Sequence, residues 1–228
     1  MFRLKVAMVV FLKENLMKNS LLLSGLFFGV LFLLPTPSQA QWQPDVRLTN
    51  DTALSWTSWN YAWNVASSGD IVHVVWWDER DGNWEIYYKR STDGGISWGA
   101  DTRLTNNSSE SYNPSVSVSG SVVHVVWYDE RDGNLEIYYK RSTDGGVSWG
   151  ADTRLTNNPA ESHSPSASIS GSVVHVVWRD NRDGNYEIYY KRSTDGGVSW
   201  EADTRLTNNP GISEHPSVSV SGSAVHVV

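Results

Sequence analysis

Ser91–Trp98 reads STDGGISW, and the octet returns as STDGGVSW at Ser142–Trp149 and again at Ser193–Trp200, 51 residues later each time. The repeat extends well beyond the octet. Arg103–Thr153 and Arg154–Thr204 differ at only about ten of their 51 positions. A period of this size is the mark of a repeat architecture, in which each unit buries its faces against its neighbours.

One unit holds four runs of strand formers separated by turn chemistry. PSVSVSG (Pro114–Gly120) alternates small apolar residues with serine, and SVVHVVWY (Ser121–Tyr128) is β-branched and aromatic. DERDGN then interrupts, LEIYYKRS (Leu135–Ser142) follows, and TDGG turns the chain into VSWGADTRLTN (Val147–Asn157). No helical periodicity occurs. Four antiparallel strands per near-identical unit predict an all-β propeller of four-stranded blades. A β-helix needs a shorter period, and a sandwich does not repeat its strands so literally.

The phase of the repeat divides the chain. WQPDVRLTN (Trp42–Asn50) aligns with WGADTRLTN (Trp149–Asn157), so residues 41–50 are a stray fourth strand. Blade 1 is expected over 51–106, blade 2 over 107–157, blade 3 over 158–208, and the start of a fourth blade over 209–228. In a closed ring the stray strand completes the last blade and removes open sheet edges. The expectation is therefore an incomplete ring, a fragment whose further C-terminal blades are needed for closure. Because strands in a blade alternate in direction, the octets ring one face and the DERDGN-type turns ring the other.

The octet S-T-D-G-G-x-S-W, placed between third and fourth strands, resembles the Asp-box, or BNR repeat, of the sialidase-like β-propeller superfamily. The resemblance covers residues 41–228 and implies a structural role for Ser91, Asp93, Gly95 and Trp98, for Ser142, Asp144, Gly146 and Trp149, and for Ser193, Asp195, Gly197 and Trp200. The residue chemistry agrees. Each Asp can accept hydrogen bonds from its own turn, the glycines permit positive φ, and each Trp offers a large face for packing. A catalytic or metal-binding role for these Asp residues would need a second carboxylate of fixed geometry.

Candidate ligand contacts lie on the other face. Arg80, Arg131 and Arg182 stand one per blade in DERD, DERD and DNRD. They can either clamp a carboxylate, as the three arginines of sialidases do, or pair with their flanking Asp and stiffen the turn. Val46-Arg47-Leu48-Thr49 sits where sialidases carry an N-terminal catalytic arginine, but it lacks that motif's aromatic and proline and recurs as TRLT in each unit. Symmetry breaks at LSWTSWNYAWNVA (Leu54–Ala66), which has five extra residues. Alternation there places Trp59, Tyr61 and Trp63 on one face of an extended first strand, suited either to stacking on sugar rings or to sealing blade 1. His73, His124, His175 and His226 fall mid-strand, one per blade, too far apart to share a metal, and are read as packing residues. Neither a metal nor a cofactor is expected.

The first 40 residues stand apart. The apolar run Leu21–Leu34 followed by PTPSQA reads as a secretory signal peptide cleaved after Ala40, with Met17 the more natural start. The expected location is secreted, periplasmic or cell-surface, with no membrane span in the mature protein; the sequon at Asn107 carries little weight. Residues 41–228 have a net charge of −10 and no basic block, which argues against nucleic acid as a partner. No cysteine is present, so disulfides and thiolate metal sites are excluded.

Two functions are compatible with these residues. One is an exported, non-catalytic propeller that binds a glycan or another extracellular ligand, or acts as an interaction scaffold. The other, implied by the resemblance alone, is an exo-α-sialidase-type glycoside hydrolase. It would use a Tyr/Glu nucleophile pair, an Asp acid/base and three arginines, for which no motif can be placed here and part of which the expected further C-terminal blades would hold.

Overall fold

The computed structural model describes residues 5–6, 44–59 and 63–228. The chain divides into two units. In the smaller one, residues 5–46, only the short strand β1 (Lys5–Val6) and the residues from 44 onward are described. The expected leader, residues 1–40, otherwise lies outside the described residues.

The larger unit is built of antiparallel meanders with no helix among the described residues. β2 (Val46–Arg47) precedes a first sheet of β3 (Ser55–Trp56), β4 (Val65–Ser68), β5 (Ile71–Asp78), β6 (Glu85–Ser91) and β7 (Thr102–Arg103). The second sheet is β8 (Ser111–Ser119), β9 (Val122–Asp129), β10 (Glu136–Ser142) and β11 (Thr153–Arg154). The third repeats it as β12 (Ser162–Ser170), β13 (Val173–Asp180), β14 (Glu187–Ser193) and β15 (Thr204–Arg205), and a hairpin of β16 (Val218–Ser221) and β17 (Ala224–Val227) follows. These are propeller blades in sequence order, and the ring is not closed.

Local chemistry explains each connection. First and second strands join through two-residue turns whose leading glycines, Gly69, Gly120, Gly171 and Gly222, sit at φ near +60°. That is the hairpin turn that takes glycine at its first central position. The second strands are buried along nearly their whole length, which is why SVVHVVW reads as a continuous apolar run. Fourth strands are shorter than the sequence suggests. Only two residues pair, because Trp149–Asp152 runs as a loop anchored by Gly150 N–H donating to Arg141 O at 2.9 Å.

The cores lie between blades. Val75, Trp77, Ile86 and Tyr88 of the first blade pack on Val116, Val123, Val125 and Trp127 of the second, and the same arrangement links the second to the third. Lysines add a polar tie at each junction: Lys140 Nζ donates to Leu104 O and Lys191 Nζ to Leu155 O, each carbonyl directly following the preceding blade's fourth strand. Lys89 Nζ donates in the same way to Leu48 O at 2.6 Å. Leu48 therefore occupies the equivalent place beside blade 1.

Candidate functional site

The turns between second and third strands carry a carboxylate network that recurs in three blades. Asp78 closes β5 fully buried, and Arg80 grips it with two parallel bonds, Nε to Oδ1 at 2.9 Å and Nη2 to Oδ2 at 2.7 Å. Ser55 Oγ and Trp76 Nε1 also donate to Asp78, at 2.7 and 3.0 Å. Burial alone would raise the Asp78 pKa, but the hydrogen bonds from Arg80, Ser55 and Trp76 outweigh it and the net shift is downward. The remaining Arg80 donors meet Asp101 at 2.6 Å and Asp51 at 2.7 Å, and its guanidinium lies 4.4 Å from the centre of the Tyr87 ring.

Arg131 repeats the pattern with Asp129 and Asp152 over Tyr138, and Arg182 with Asp180 and Asp203 over Tyr189. The donors of all three arginines thus point into their own blades. Arg47 is likewise a blade element: its Nε donates to Thr49 O, as Arg103 Nε does to Thr105 O and Arg154 Nε to Thr156 O.

The octets lie on the opposite face, beside the turns between first and second strands; Gly94 N–H donates to Asp70 O at 2.7 Å. Within each octet the Asp organises the loop. Ser91 Oγ and Ser97 N–H donate to Asp93 Oδ1 at 2.7 and 2.8 Å, and Ser142 and Ser148 do the same for Asp144, as Ser193 and Ser199 do for Asp195. Those bonds, led by the Ser97 hydroxyl, lower the Asp93 pKa to about 2. Trp98 Nε1 donates to Gly95 O. Trp149 meets Tyr88 of the preceding blade edge-on at 4.9 Å, and Trp200 meets Tyr139 at 5.0 Å. The octet's second glycine is an inter-blade contact as well, since a Cβ on Gly146 would lie 1.9 Å from Tyr88 Oη and one on Gly197 2.0 Å from Tyr139 Oη.

The expected extended first strand of blade 1 does not form. Trp56 pairs with Trp77 and Val65 with Val74, so eight residues stand opposite two, and the strand splits into β3 and β4 around an excursion. In blade 2 the corresponding irregularity between Tyr112 and Ser115 is a bulge with Asn113 at φ +50°. Trp59 and Trp63 are 59% and 53% exposed, while Tyr61 lies outside the described residues. The excursion is pinned to blade 2, where Pro114 O accepts from Ser58 Oγ and, at 2.8 Å, from Asn64 Nδ2.

A group of residues that sequence reasoning passed over lies on the same face as the arginines. Trp77 touches Trp59, Trp84 and, across the blade junction, Tyr112, at 5.7, 4.4 and 5.0 Å between ring centres. Tyr112 continues to Tyr128, Tyr128 crosses to His163, and His163 meets Tyr186. At the next junction Arg179 pairs with Glu214 at 2.6 Å. Tyr112/His163, Tyr128/Arg179 and Leu135/Tyr186 are among the few positions at which the two aligned units differ. Those departures from the repeat were the signal that could have found them.

The mid-strand histidines each bond a tyrosine of their own blade. His73 Nδ1 lies 2.7 Å from Tyr88 Oη, His124 from Tyr139 and His175 from Tyr190 at the same distance. Burial, with the neighbouring Arg90 and Arg141 guanidiniums, lowers the His73 and His124 pKa values to about 4, so both rings are neutral near pH 7. No cluster of three potential metal ligands occurs among the described residues.

Comparison with known proteins places this geometry. The family profile described as BNR repeat-like domain matches residues 29–225. None of the curated proteins compared matches the chain. Among solved structures, a Trypanosoma rangeli sialidase in complex with sialic acid superposes with a TM-score of 0.53 at 15% identity, over 77% of this chain and 36% of that one. A Penicillium chrysogenum α-L-arabinanase complexed with arabinobiose gives 0.54 at 15% identity, over 78% and 59%. A Fusarium graminearum α-L-arabinofuranosidase mutant with an iminosugar inhibitor gives 0.52 at 14%, over 69% and 53%. At these identities the likeness is one of fold, and the chain spans about a third of the sialidases' length.

Proposed function

The chain belongs to the BNR repeat-like family, and from that premise we propose that it is an exported, non-catalytic propeller whose arginine-bearing face binds a glycan or another extracellular ligand. One observation carries the reading. Arg80, Arg131 and Arg182 are bound by carboxylates in three closely matching settings, whereas a catalytic set is asymmetric and needs arginines free to receive a substrate carboxylate. Export is supported by the apolar run Leu21–Leu34 and its small-residue flank. The net charge of −10 over residues 41–228 supports partners other than nucleic acid.

The second reading is a glycoside hydrolase. It is favoured by the fold shared with a sialidase and an arabinanase that bind their sugars in the structures compared. Fluorogenic sialoside and arabinofuranoside assays separate the two, using the wild-type chain and the Arg80→Ala, Arg131→Ala and Arg182→Ala variants. The expected result is no turnover above the buffer rate. Turnover that is lost with any one of the three arginines would replace the binding reading with the hydrolase.

A further inference from the structure

The first strands of successive blades line an open groove of about 320 Å³, at the small end of the roughly 300–1,000 Å³ usual for ligand pockets. Trp63 stands at its blade 1 side with half its surface exposed, and its placement depends on the insertion, which blades 2 and 3 lack. The apolar floor includes Val116 and Ala167, and Ser117, Ser168 and Ser219 form a row of hydroxyls at one equivalent position of blades 2, 3 and 4. Ser117 is 8% exposed, and its Oγ has no hydrogen-bond partner. A buried hydroxyl left without a partner costs about 1–3 kcal/mol, so a ligand that supplies one is favoured.

The charge of the site decides what that ligand is. Every lining residue is uncharged. Arg80, Arg131, Arg179 and Arg182 on the turn face are already paired with carboxylates. Nothing there compensates an anionic sugar, whose carboxylate would also meet the chain's acidic field. An aromatic face beside a row of hydroxyls suits the apolar face and hydroxyl edge of a sugar ring.

We infer that this groove binds one or two rings of an uncharged saccharide, stacked on Trp63 and hydrogen-bonded to Ser117. The inference rests on the glycan-binding reading above, moves its site from the arginine-bearing face to the inner strands that run on toward the octet face, and names its ligand class. Isothermal titration of the full chain with arabinohexaose, cellohexaose and 3′-sialyllactose tests it. At least one neutral hexaose should bind and 3′-sialyllactose should not. Ser117→Val should weaken that binding about fivefold, the worth of one hydrogen bond, with the melting temperature unchanged or raised, because it removes an unsatisfied hydroxyl. Trp63→Ala should weaken it about tenfold or more, while the bond from Val116 N–H to the residue 63 carbonyl is independent of that side chain. Binding of a neutral hexaose that neither variant changes would overturn the groove as the site. Binding of 3′-sialyllactose alone would overturn the inference and leave the glycan reading standing; silence toward all three sugars would remove both.

Discussion

The two faces of the blades spend their sequence differently. On the octet face the three loops are nearly the same letter for letter; each binds itself, and the second and third also close on the blade before: Asp144 holds its own turn while Gly146 and Trp149 close on Tyr88. The opposite face has a constant part and a variable part. Its Asp–Arg clamps are copied in each blade, but Trp77, Tyr128 and Arg179 occupy one position with three different chemistries, and only blade 1 carries the insertion. Uniformity marks what every blade must do to pack, and departure from it marks what one blade does alone.

The sharpest way to break this comparison is to make the same substitution on both faces of one blade. Gly146→Ala places a methyl group 1.9 Å from Tyr88 Oη at a φ of +82°, and clash plus backbone strain should cost about 4 kcal/mol. Gly133→Ala, at φ +95° with open space around it, should cost only the strain, about 1–2 kcal/mol. Urea denaturation midpoints measure both; equal losses would show that the octet glycine is not an inter-blade contact.

Next in size is the clamp. Asp129→Ala leaves the Arg131 guanidinium without its bidentate partner and strands Ser111 Oγ, and should cost about 3 kcal/mol. Asp144→Ala, on an exposed carboxylate of the octet, should shift the urea midpoint less. The reverse order would mean that the octet carboxylate, rather than the buried one, secures the blade. The smallest effect belongs to the insertion. Trp59→Ala should change stability by no more than about 0.5–1 kcal/mol, because the ring is mostly exposed and meets Trp77 at its edge. A loss as large as that of Asp129→Ala would make the excursion part of the packing rather than a surface for ligands.

How far the sequence could be read follows from the same division. The blades were legible because a 51-residue period repeats every strand and turn, and Arg80 was legible as a turn residue because it is flanked by aspartates in each copy. The excursion was misread for a physical reason. Alternating aromatics suggested an extended strand, but β5 keeps its length, so only Val75 and Trp76 face eight residues and the surplus has nothing to pair with. The aromatic track from Trp77 to Tyr186 was missed because its members look like scatter against the repeat until the blades stand side by side. Ser117 was hidden in a strand of serines that the sequence cannot rank by burial.

A chain of near-identical blades also faces a counting problem: while it folds, any blade could dock on a neighbour one place too far along, the misassembly to which repeat proteins are prone. The residues that meet across each junction answer it. Trp77 against Tyr112, Tyr128 against His163 and Arg179 against Glu214 are three different locks cut at one position, two of ring on ring and one of opposite charge. A blade that skipped its neighbour would set Trp77 against His163, or Tyr128 against Glu214 with no arginine to answer it. The seam between blades thus carries the order in which they are strung.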